Sequence, residues 1–269
     1  MQMSSNRVVI LAGGKGTRLR PFTASFPKPL VPVGDTPILA ILLQQLINQR
    51  FSEVTLAVGH LSELIRAYIN CHRTISKAIN VDFVDEARAT GTAGALANVA
   101  DLTNTFLVMN GDLLTNLDFN DLIRAHKQSG AALTIAGHAK QERIDLGVLE
   151  VDESGRLHGY NEKPAHKFEV SMGIYVYEPS VLRFIERDTY LDFPTLVRYL
   201  LEAGELVHVH RNSAFWLDIG RPEDYAKAQD IFERRPEYFG LANSDARDRN
   251  TRDQGPPSTS RNGAQSLSV

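Results

Sequence analysis

The residues of this chain that can do chemistry fall in a few short stretches. The first is L-A-G-G-K-G-T-R-L-R-P-F-T-A-S-F-P-K-P-L, Leu11 to Leu30. Gly13, Gly14 and Gly16 leave backbone N–H groups open to close approach by an anion, and Arg18 and Lys28 bring positive charge to the same loop. Two standard nucleotide loops are excluded by spacing. A G-x-G-x-x-G reading from Gly14 ends at Leu19, too large for close helix packing, and a Walker A loop needs G-K-[ST] where this chain has G-T-R. The failed glycine spacing disfavours a dinucleotide oxidoreductase, and Pro21 and Pro27 prevent a clean helix from starting at the loop. Two carboxylates come next. Asp112 ends N-G-D after the apolar run Phe106 to Met109, at the C-terminal end of a predicted strand, where open α/β sheets bind ligands. Asp218 stands in W-L-D-I-G. Taken singly, each aspartate reads as a turn or cap residue. As a residue type, aspartate is a hard oxygen ligand of the kind that suits Mg²⁺. Glu162-Lys163-Pro164 read alone is a solvated strand end.

G-G-x-G-T-R-L followed by P-K-P resembles the signature of the sugar-1-phosphate nucleotidylyltransferases. Further elements recur in that family's order: G-T-A-G-A-L (Gly91 to Leu96), N-G-D (Asn110 to Asp112), L-G-V (Leu146 to Val148), E-K-P, and W-L-D-I-G followed by R-P-E-D-Y. The resemblance spans about residues 7–232. It implies a Rossmann-like three-layer α/β/α sandwich with a β-rich sugar-binding insertion, and an enzyme that converts an NTP and a sugar 1-phosphate to an NDP-sugar and pyrophosphate. The motif style is most similar to mannose-1-phosphate and heptose-1-phosphate guanylyltransferases. It therefore implies GTP and a mannose- or heptose-like sugar, with UTP, dTTP, CTP and ATP left open. The nucleophile of such a reaction, a phosphate oxygen, is already ionised, so the protein's task is positioning and charge stabilisation.

Carried over position by position, the resemblance makes Arg18 the clamp on the β- and γ-phosphates, its planar fork suiting phosphate. Lys28 steadies the α-phosphate and Lys163 holds the sugar phosphate. Glu162 accepts hydrogen bonds from sugar hydroxyls, and Gly147 lets the sugar approach the sheet. Leu11, Ala12, Gly13, Gly14, Gly94 and Gly111 contact the nucleotide, and Asp112 and Asp218 form the Mg²⁺ pair. Trp216 is expected to pack behind Asp218, and His60 and His138 to be structural or solvent-facing. The alternative class is a non-catalytic relative that senses NDP-sugars; it could lose Arg18, Lys28, Asp112 or Asp218, and all four are present. Thr90 replaces the family's usual Leu before G-T-A-G-A-L, and Leu146 replaces an aromatic often found before the sugar-site glycine. The segment after Leu241 is polar and short, and it is not expected to supply the C-terminal β-helical domain of many relatives.

These residues need a scaffold, and the chain's patterning supplies one. Its 269 residues are 43% hydrophobic and 23% charged, ordinary for a globular protein. Twenty-nine Lys and Arg against 32 Asp and Glu give a net charge of −3, so no global field favours nucleic acid or an anionic membrane. The expected partners are an NTP and a sugar 1-phosphate, with no nucleic acid and no membrane; a homo-oligomer stays open. The single Cys71 excludes an intrachain disulfide and a cysteine-rich zinc site. No apolar stretch is long enough to span a bilayer, the start does not read as a signal peptide, and a cytoplasmic protein is expected.

Apolar runs at 7–12, 54–58, 81–84 and 106–109 read as strands. They alternate with helices that begin at Thr36-Pro37 (Thr as N-cap, Pro at the first turn), span Ser62 to Ile69 with Ser62 as cap, span Thr92 to Val99, and span 118–128 behind Asp118. That alternation predicts βαβ units and a mostly parallel central sheet. The stretches 131–137, 146–151, 156–161 and 171–177 are β-rich, with a hairpin turn at Asp152 to Gly155. Helices at 180–187, 193–203 and from Pro222 to Glu233, with a strand at 206–210, complete the pattern. A catalytic domain is thus expected over 1–240. The Gly-, Pro- and Ser-rich segment 241–269 cannot bury enough surface to offset its ordering entropy and is expected to be a disordered tail.

Overall fold

The computed structural model describes residues 7–86 and 88–240, so the expected tail lies outside the described residues. Strand β1 (Arg7–Ala12) lies deep in the molecule, with Val8, Val9 and Ile10 fully buried; it runs apolar without alternation because both its faces are covered. The glycine loop follows as three one-turn 3₁₀ helices. Then come β2 (Pro32–Val33), β3 (Thr36–Pro37), α1 (Ile38–Asn48), β4 (Glu53–Val58), α2 (Ser62–Cys71), α3 (Arg73–Ala78), β5 (Asn80–Asp85), α4 (Gly91–Gly94), β6 (Phe106–Asn110), β7 (Leu113–Thr115) and α5 (Phe119–Ser129). The second half holds β8 (Leu133–Arg143), β9 (Gly147–Val151), β10 (Leu157–Glu162), β11 (Ala165–Tyr177), α6 (Phe193–Glu202), β12 (Val207–Asn212), β13 (Trp216–Asp218) and α7 (Pro222–Arg234).

The central sheet has seven strands in the order β12-β8-β11-β6-β1-β4-β5. β6, β1, β4 and β5 pair in parallel, β11 is antiparallel to both β6 and β8, and β12 is parallel to β8. One strand, β11, therefore opposes the others. Side chains alternating from the sheet feed two cores. On one face Val8 and Ile10 pack with Leu42 and Leu46 of α1, Ile65 of α2 and Leu122 of α5. On the other, Val9 and Val108 pack with Leu96 and with Leu196 and Leu200 of α6. This is the expected α/β fold: helices on both faces of a mostly parallel sheet. The β-rich insertion is the β9–β10 hairpin, whose turn is tied by Asp152 Oδ1 accepting from the backbone N–H groups of Ser154 and Arg156, each at 2.9 Å. Among the described residues no helix is long and apolar enough to cross a membrane.

Several local expectations are corrected. Thr36 does not cap α1. It pairs with Val33 in the β2–β3 bridge and its hydroxyl donates to Asp35 Oδ1, so Pro37 is the cap residue and Ile38 N–H finds Val31 O instead. Ser62 is the first residue of α2 rather than its cap, which is Leu61 in the left-handed region at φ 58°. The helix expected over Thr92 to Val99 is the single turn α4 followed by a 3₁₀ stretch, Ala95–Asn98. Gly91 at φ 82° starts it, and the Ala93 and Gly94 N–H groups donate to Leu191 O, anchoring that turn to the segment before α6. The helix expected over 180–187 is a 3₁₀ stretch, Pro179–Phe184. Asp118 caps α5 as expected, accepting from Asp121 N–H at 3.0 Å.

β13 is joined to β7 by antiparallel pairing, with Asp218 opposite Leu113 and Trp216 opposite Thr115. Fully buried Thr115 holds the junction: its hydroxyl donates to Phe215 O at 2.7 Å and accepts from Leu117 N–H at 3.1 Å. Replacing Thr115 with Val keeps the shape but strands both partners. The expected cost is about 1–3 kcal/mol, read as a lowered midpoint in urea unfolding, with Thr115→Ser close to wild type.

Candidate active site

β1 has β4 on one side and β6 on the other, so the chain reverses its direction of travel across the sheet between β1 and β6. At such a switch point the loops leaving the two strand ends diverge and open a crevice. Here the glycine loop leaves β1, and Asn110, Gly111 and Asp112 leave β6. The crevice is a cavity of about 370 Å³ lined by Leu11 to Gly14, Arg18, Lys28, Glu86, Gly91, Thr92, Asn110 to Asp112 and Asp218. It gathers nine of the residues singled out from sequence: Leu11, Ala12, Gly13, Gly14, Arg18, Lys28, Gly111, Asp112 and Asp218.

The loop is shaped by backbone constraints. Gly16 sits at φ 60°, and Thr23 Oγ1 donates to Gly16 O at 2.7 Å, fixing the curl. A Cβ at Gly14 would meet nothing within 4 Å, so that peptide faces open space. A Cβ at Gly111 would lie 2.9 Å from Leu11 O, so only glycine lets the two strand ends approach this closely. Lys28 heads the third 3₁₀ turn, is 9% exposed, and reaches Asp112 Oδ2 with its ammonium. Arg18 is exposed; its guanidinium and the Asp218 carboxylate flank Gly220, where an added Cβ would be 3.8 Å from Arg18 Nη1 and 3.7 Å from Asp218 Oδ2.

The β7–β13 pairing sets Asp218 beside Asp112, and Ile219 N–H donates to Asp112 O at 3.1 Å. The Asp218 carboxyl is held above its ordinary pKa by lost solvation and then by the Asp112 charge, against the opposing pull of Lys28 and Arg18. Asp112 Oδ1 is buried and has no hydrogen-bond partner. A buried orphan acceptor next to a second carboxylate is a donor set that fits a hard divalent cation. Among the described residues no group of three or more His, Cys, Asp or Glu is placed to hold a metal, so these two carboxylates would share it with waters or ligand oxygens.

Other expected site residues lie elsewhere. Gly94 is buried beneath the cavity wall, where a Cβ would meet Thr189 O at 2.8 Å; its neighbours Gly91, Thr92 and Ala95 line the cavity instead. Gly147 pairs with Glu162 across the β9–β10 hairpin, Glu162 accepts from the Tyr160 hydroxyl at 3.0 Å, and Lys163 follows at φ 47°. None of the three lines this cavity or its two neighbours. Trp216 packs partly buried against the core, its indole N–H donating to Met172 O at 2.8 Å, and also lines the two neighbouring cavities. His138 lies against the Trp216 ring and lines a second cavity of about 610 Å³ with Arg18, Lys140 and Asp218. A third, of about 290 Å³, joins Asn110, Ser171, Met172, Gly173, Tyr175 and Trp216 to Asp218. Sequence reasoning missed Glu86 as a cavity residue, although the signal that exposed Asp112, a charged residue just past a strand's C-terminal end, was present there too.

The family model described as nucleotidyl transferase matches residues 7–235. The chain is 34% identical over 230 residues to the mannose-1-phosphate guanylyltransferase catalytic subunit beta of Danio rerio, covering 81% of this chain and 62% of that protein. It is 32% identical over 244 residues to the UTP–glucose-1-phosphate uridylyltransferase of Synechocystis sp., covering 82% of this chain and 62% of the relative. The chain thus spans about 62% of the length of these relatives. Among solved structures, HddC from Yersinia pseudotuberculosis complexed with GMP-PN is similar with a TM-score of 0.65 at 26% identity, over 84% of this chain and 99% of that one. A putative glucose-1-phosphate thymidylyltransferase from Bacillus anthracis shares the fold, with a TM-score of 0.66 at 20% identity.

The raised Asp218 pKa carries a signed consequence. A carboxyl that prefers its proton in the folded state adds stability below its ordinary pKa, near 3.9, and loses it as pH rises through the raised value. Asp218→Asn removes that loss. In metal-free buffer at pH 7 the variant is expected to melt at or above the wild-type temperature, with the difference shrinking toward pH 4 in a thermal-shift series. A variant that melts lower across the whole range would contradict this.

Proposed function

The chain belongs to the sugar-1-phosphate nucleotidyltransferase family, and on that premise we propose that it transfers a nucleotidyl group from an NTP to a sugar 1-phosphate. The observation that carries this reading is the convergence of Arg18 and Lys28 with Asp112 and Asp218 in one cavity at the sheet's switch point. In the proposed reaction a phosphate oxygen of the sugar phosphate attacks the α-phosphorus. The bond from the α-phosphorus to the bridging oxygen breaks, and pyrophosphate leaves with the electron pair. Both substrates are polyanions, so the barrier is dominated by bringing charge together. Arg18 clamps the β- and γ-phosphates through its planar fork and Lys28 faces the α-phosphate. The open peptide at Gly14 donates to phosphate oxygens, and Leu11, Ala12, Gly13 and Gly111 shape the cavity wall. Asp112 and Asp218 would hold a divalent cation, with Mg²⁺ the choice, which would supply charge neutralisation on the phosphates.

The third cavity, around Gly173, Tyr175 and Trp216, adjoins Asp218 and has room for a hexose or heptose ring. Gly147, Glu162 and Lys163 would act on the sugar phosphate from the β9–β10 hairpin, which would have to close toward that cavity. We take GTP as the nucleotide and a mannose- or heptose-like 1-phosphate as acceptor. The Danio rerio relative, named as a guanylyltransferase, and HddC, solved with GMP-PN, support that choice. The Synechocystis sp. relative supports a second reading, the same chemistry with UTP and another hexose 1-phosphate. Residues 1–240 carry the catalytic unit in this proposal.

Incubation with each of GTP, UTP, dTTP, CTP and ATP, each paired with mannose, heptose and glucose 1-phosphates in the presence of Mg²⁺, is expected to release pyrophosphate. No release from any pair would sink the reading. Asp112→Asn is expected to cut turnover by about 100-fold or more while leaving the fold intact by circular dichroism. A chain ending at Gly240 is expected to keep full activity, and a large loss would show that the removed segment contributes to the site.

A further inference from the structure

The main cavity continues in two directions from Asp218. In one it meets the third cavity, with which it shares Thr92, Asn110 and Asp218. In the other it meets the second, with which it shares Arg18 and Asp218. Trp216, fixed by its bond to Met172 O, lines both branches. The branches differ in charge. No lysine or arginine lines the third cavity, whereas Arg18, Lys140, Arg221 and Lys227 line the second. Strand β8 supplies Lys140 and, two residues earlier on the same face, His138, whose buried Nδ1 has no hydrogen-bond partner. Arg221 precedes α7 and Lys227 lies in its second turn. Arg18, Arg221 and Lys227 make no ion pair among the described residues, and Lys140 pairs with Glu142 at 2.6 Å. The carboxylates of this cavity are largely committed elsewhere. Asp218 belongs to the proposed cation site, and Asp224 Oδ2 accepts from the Arg221 backbone N–H at 3.1 Å, which leaves only exposed Glu223. The second cavity therefore presents a surplus of positive charge to any anion that enters past Arg18.

An in-line displacement at phosphorus puts the attacking and leaving oxygens on opposite sides. With the sugar phosphate arriving from the third cavity, which carries no cation, the leaving group departs on the side of Arg18 and the second cavity. We propose, resting on the nucleotide-transfer reading above, that the second cavity is the seat of the pyrophosphate leaving group and that Lys140, Arg221 and Lys227 hold it there. When the bond from the α-phosphorus to the bridging oxygen breaks, the electron pair stays on pyrophosphate. Negative charge therefore grows on the group these cations face, which is where fixed positive charge stabilises most. Arg18, at the boundary, serves both the bound triphosphate and its product. Arg221 offers a planar fork to two phosphate oxygens and the lysines offer point charges. A volume of about 610 Å³ accommodates pyrophosphate with water around it. Glu142 competes for the same lysines. A hydrogen bond and charge from Lys140, and also the charge of Lys227, hold its carboxyl below the ordinary pKa, so in the free protein Glu142 stands in for the anion.

The test is isothermal titration calorimetry of the full chain with inorganic pyrophosphate in Mg²⁺ buffer, with no nucleotide present, repeated on Arg221→Gln, Lys227→Gln and Glu142→Gln. All three positions are exposed, so the variants are expected to keep the wild-type circular dichroism spectrum. Arg221→Gln and Lys227→Gln should each weaken pyrophosphate binding by about tenfold. Glu142→Gln frees both lysines and should tighten it by about threefold. The second readout is the reverse reaction, pyrophosphate with GDP-mannose or UDP-glucose. There the two cation variants should raise KM for pyrophosphate by about tenfold while KM for the NDP-sugar stays within about twofold. Unaltered pyrophosphate affinity in both cation variants would overturn the proposal, as would weaker binding in Glu142→Gln or an equal rise in both KM values. Pyrophosphate binding that depends on Arg221 and Lys227, with no turnover in any pairing, would keep this site and sink the transfer reading alone. Turnover whose KM for pyrophosphate survives both substitutions would do the reverse.

Discussion

Two carboxylates, Asp112 and Asp218, are held side by side by three residue pairs of antiparallel strand, and the charge of the first raises the cost of ionising the second. β7 and β13 share Leu113 opposite Asp218, and the Thr115 hydroxyl ties the segment before β13 to the segment after β7. Repulsion of this kind is unstable unless something opposes it. Here Lys28 reaches Asp112 directly and Arg18 stands across Gly220 from Asp218. The cations that balance the pair in the free protein are those a polyphosphate would draw on. The site is thus poised electrostatically, with an orphan acceptor on Asp112 and an undersolvated carboxyl on Asp218. Its groups gain more from a cation and an anion arriving together than from either alone.

The sheet makes that pairing geometrically possible. Parallel strands with helices on both faces place every strand end on one rim, and the reversal between β1 and β6 opens the rim just where the glycine loop and Asp112 emerge. The one opposing strand, β11, shares an extended ladder with β8 that leads out to the β9–β10 hairpin. That hairpin is where Gly147, Glu162 and Lys163 reside, outside the three cavities. The nucleotide side of the proposed reaction therefore rests on the rigid sheet rim. The sugar side depends on an arm attached through exposed strand ends, where few buried contacts resist movement.

Much of this was legible in the chain. The apolar runs at 7–12 and 106–109 read as buried strands, and the glycines and charges that follow each run sit at strand ends, so the cavity's floor was readable residue by residue. Local caps were less so. Thr36 looks like a helix cap, but a two-residue bridge with Val33 claims it. Thr92 to Val99 looks like a helix, but Leu191 O takes its first N–H groups. Such outcomes depend on partners that are distant in sequence, and propensity carries no information about them.

By itself the sequence determined the fold class, the glycine loop and the identities of the charged groups, because hydrophobic period and glycine spacing are local quantities. The tertiary structure alone decided which of those groups meet. It brought Asp218 to Asp112 through β13, turned Glu86 back over Gly13, buried Gly94 under the wall and held Glu162 and Lys163 out on the hairpin. Distance between side chains is set by strand order and register, and those emerge only when the whole chain buries its two cores together.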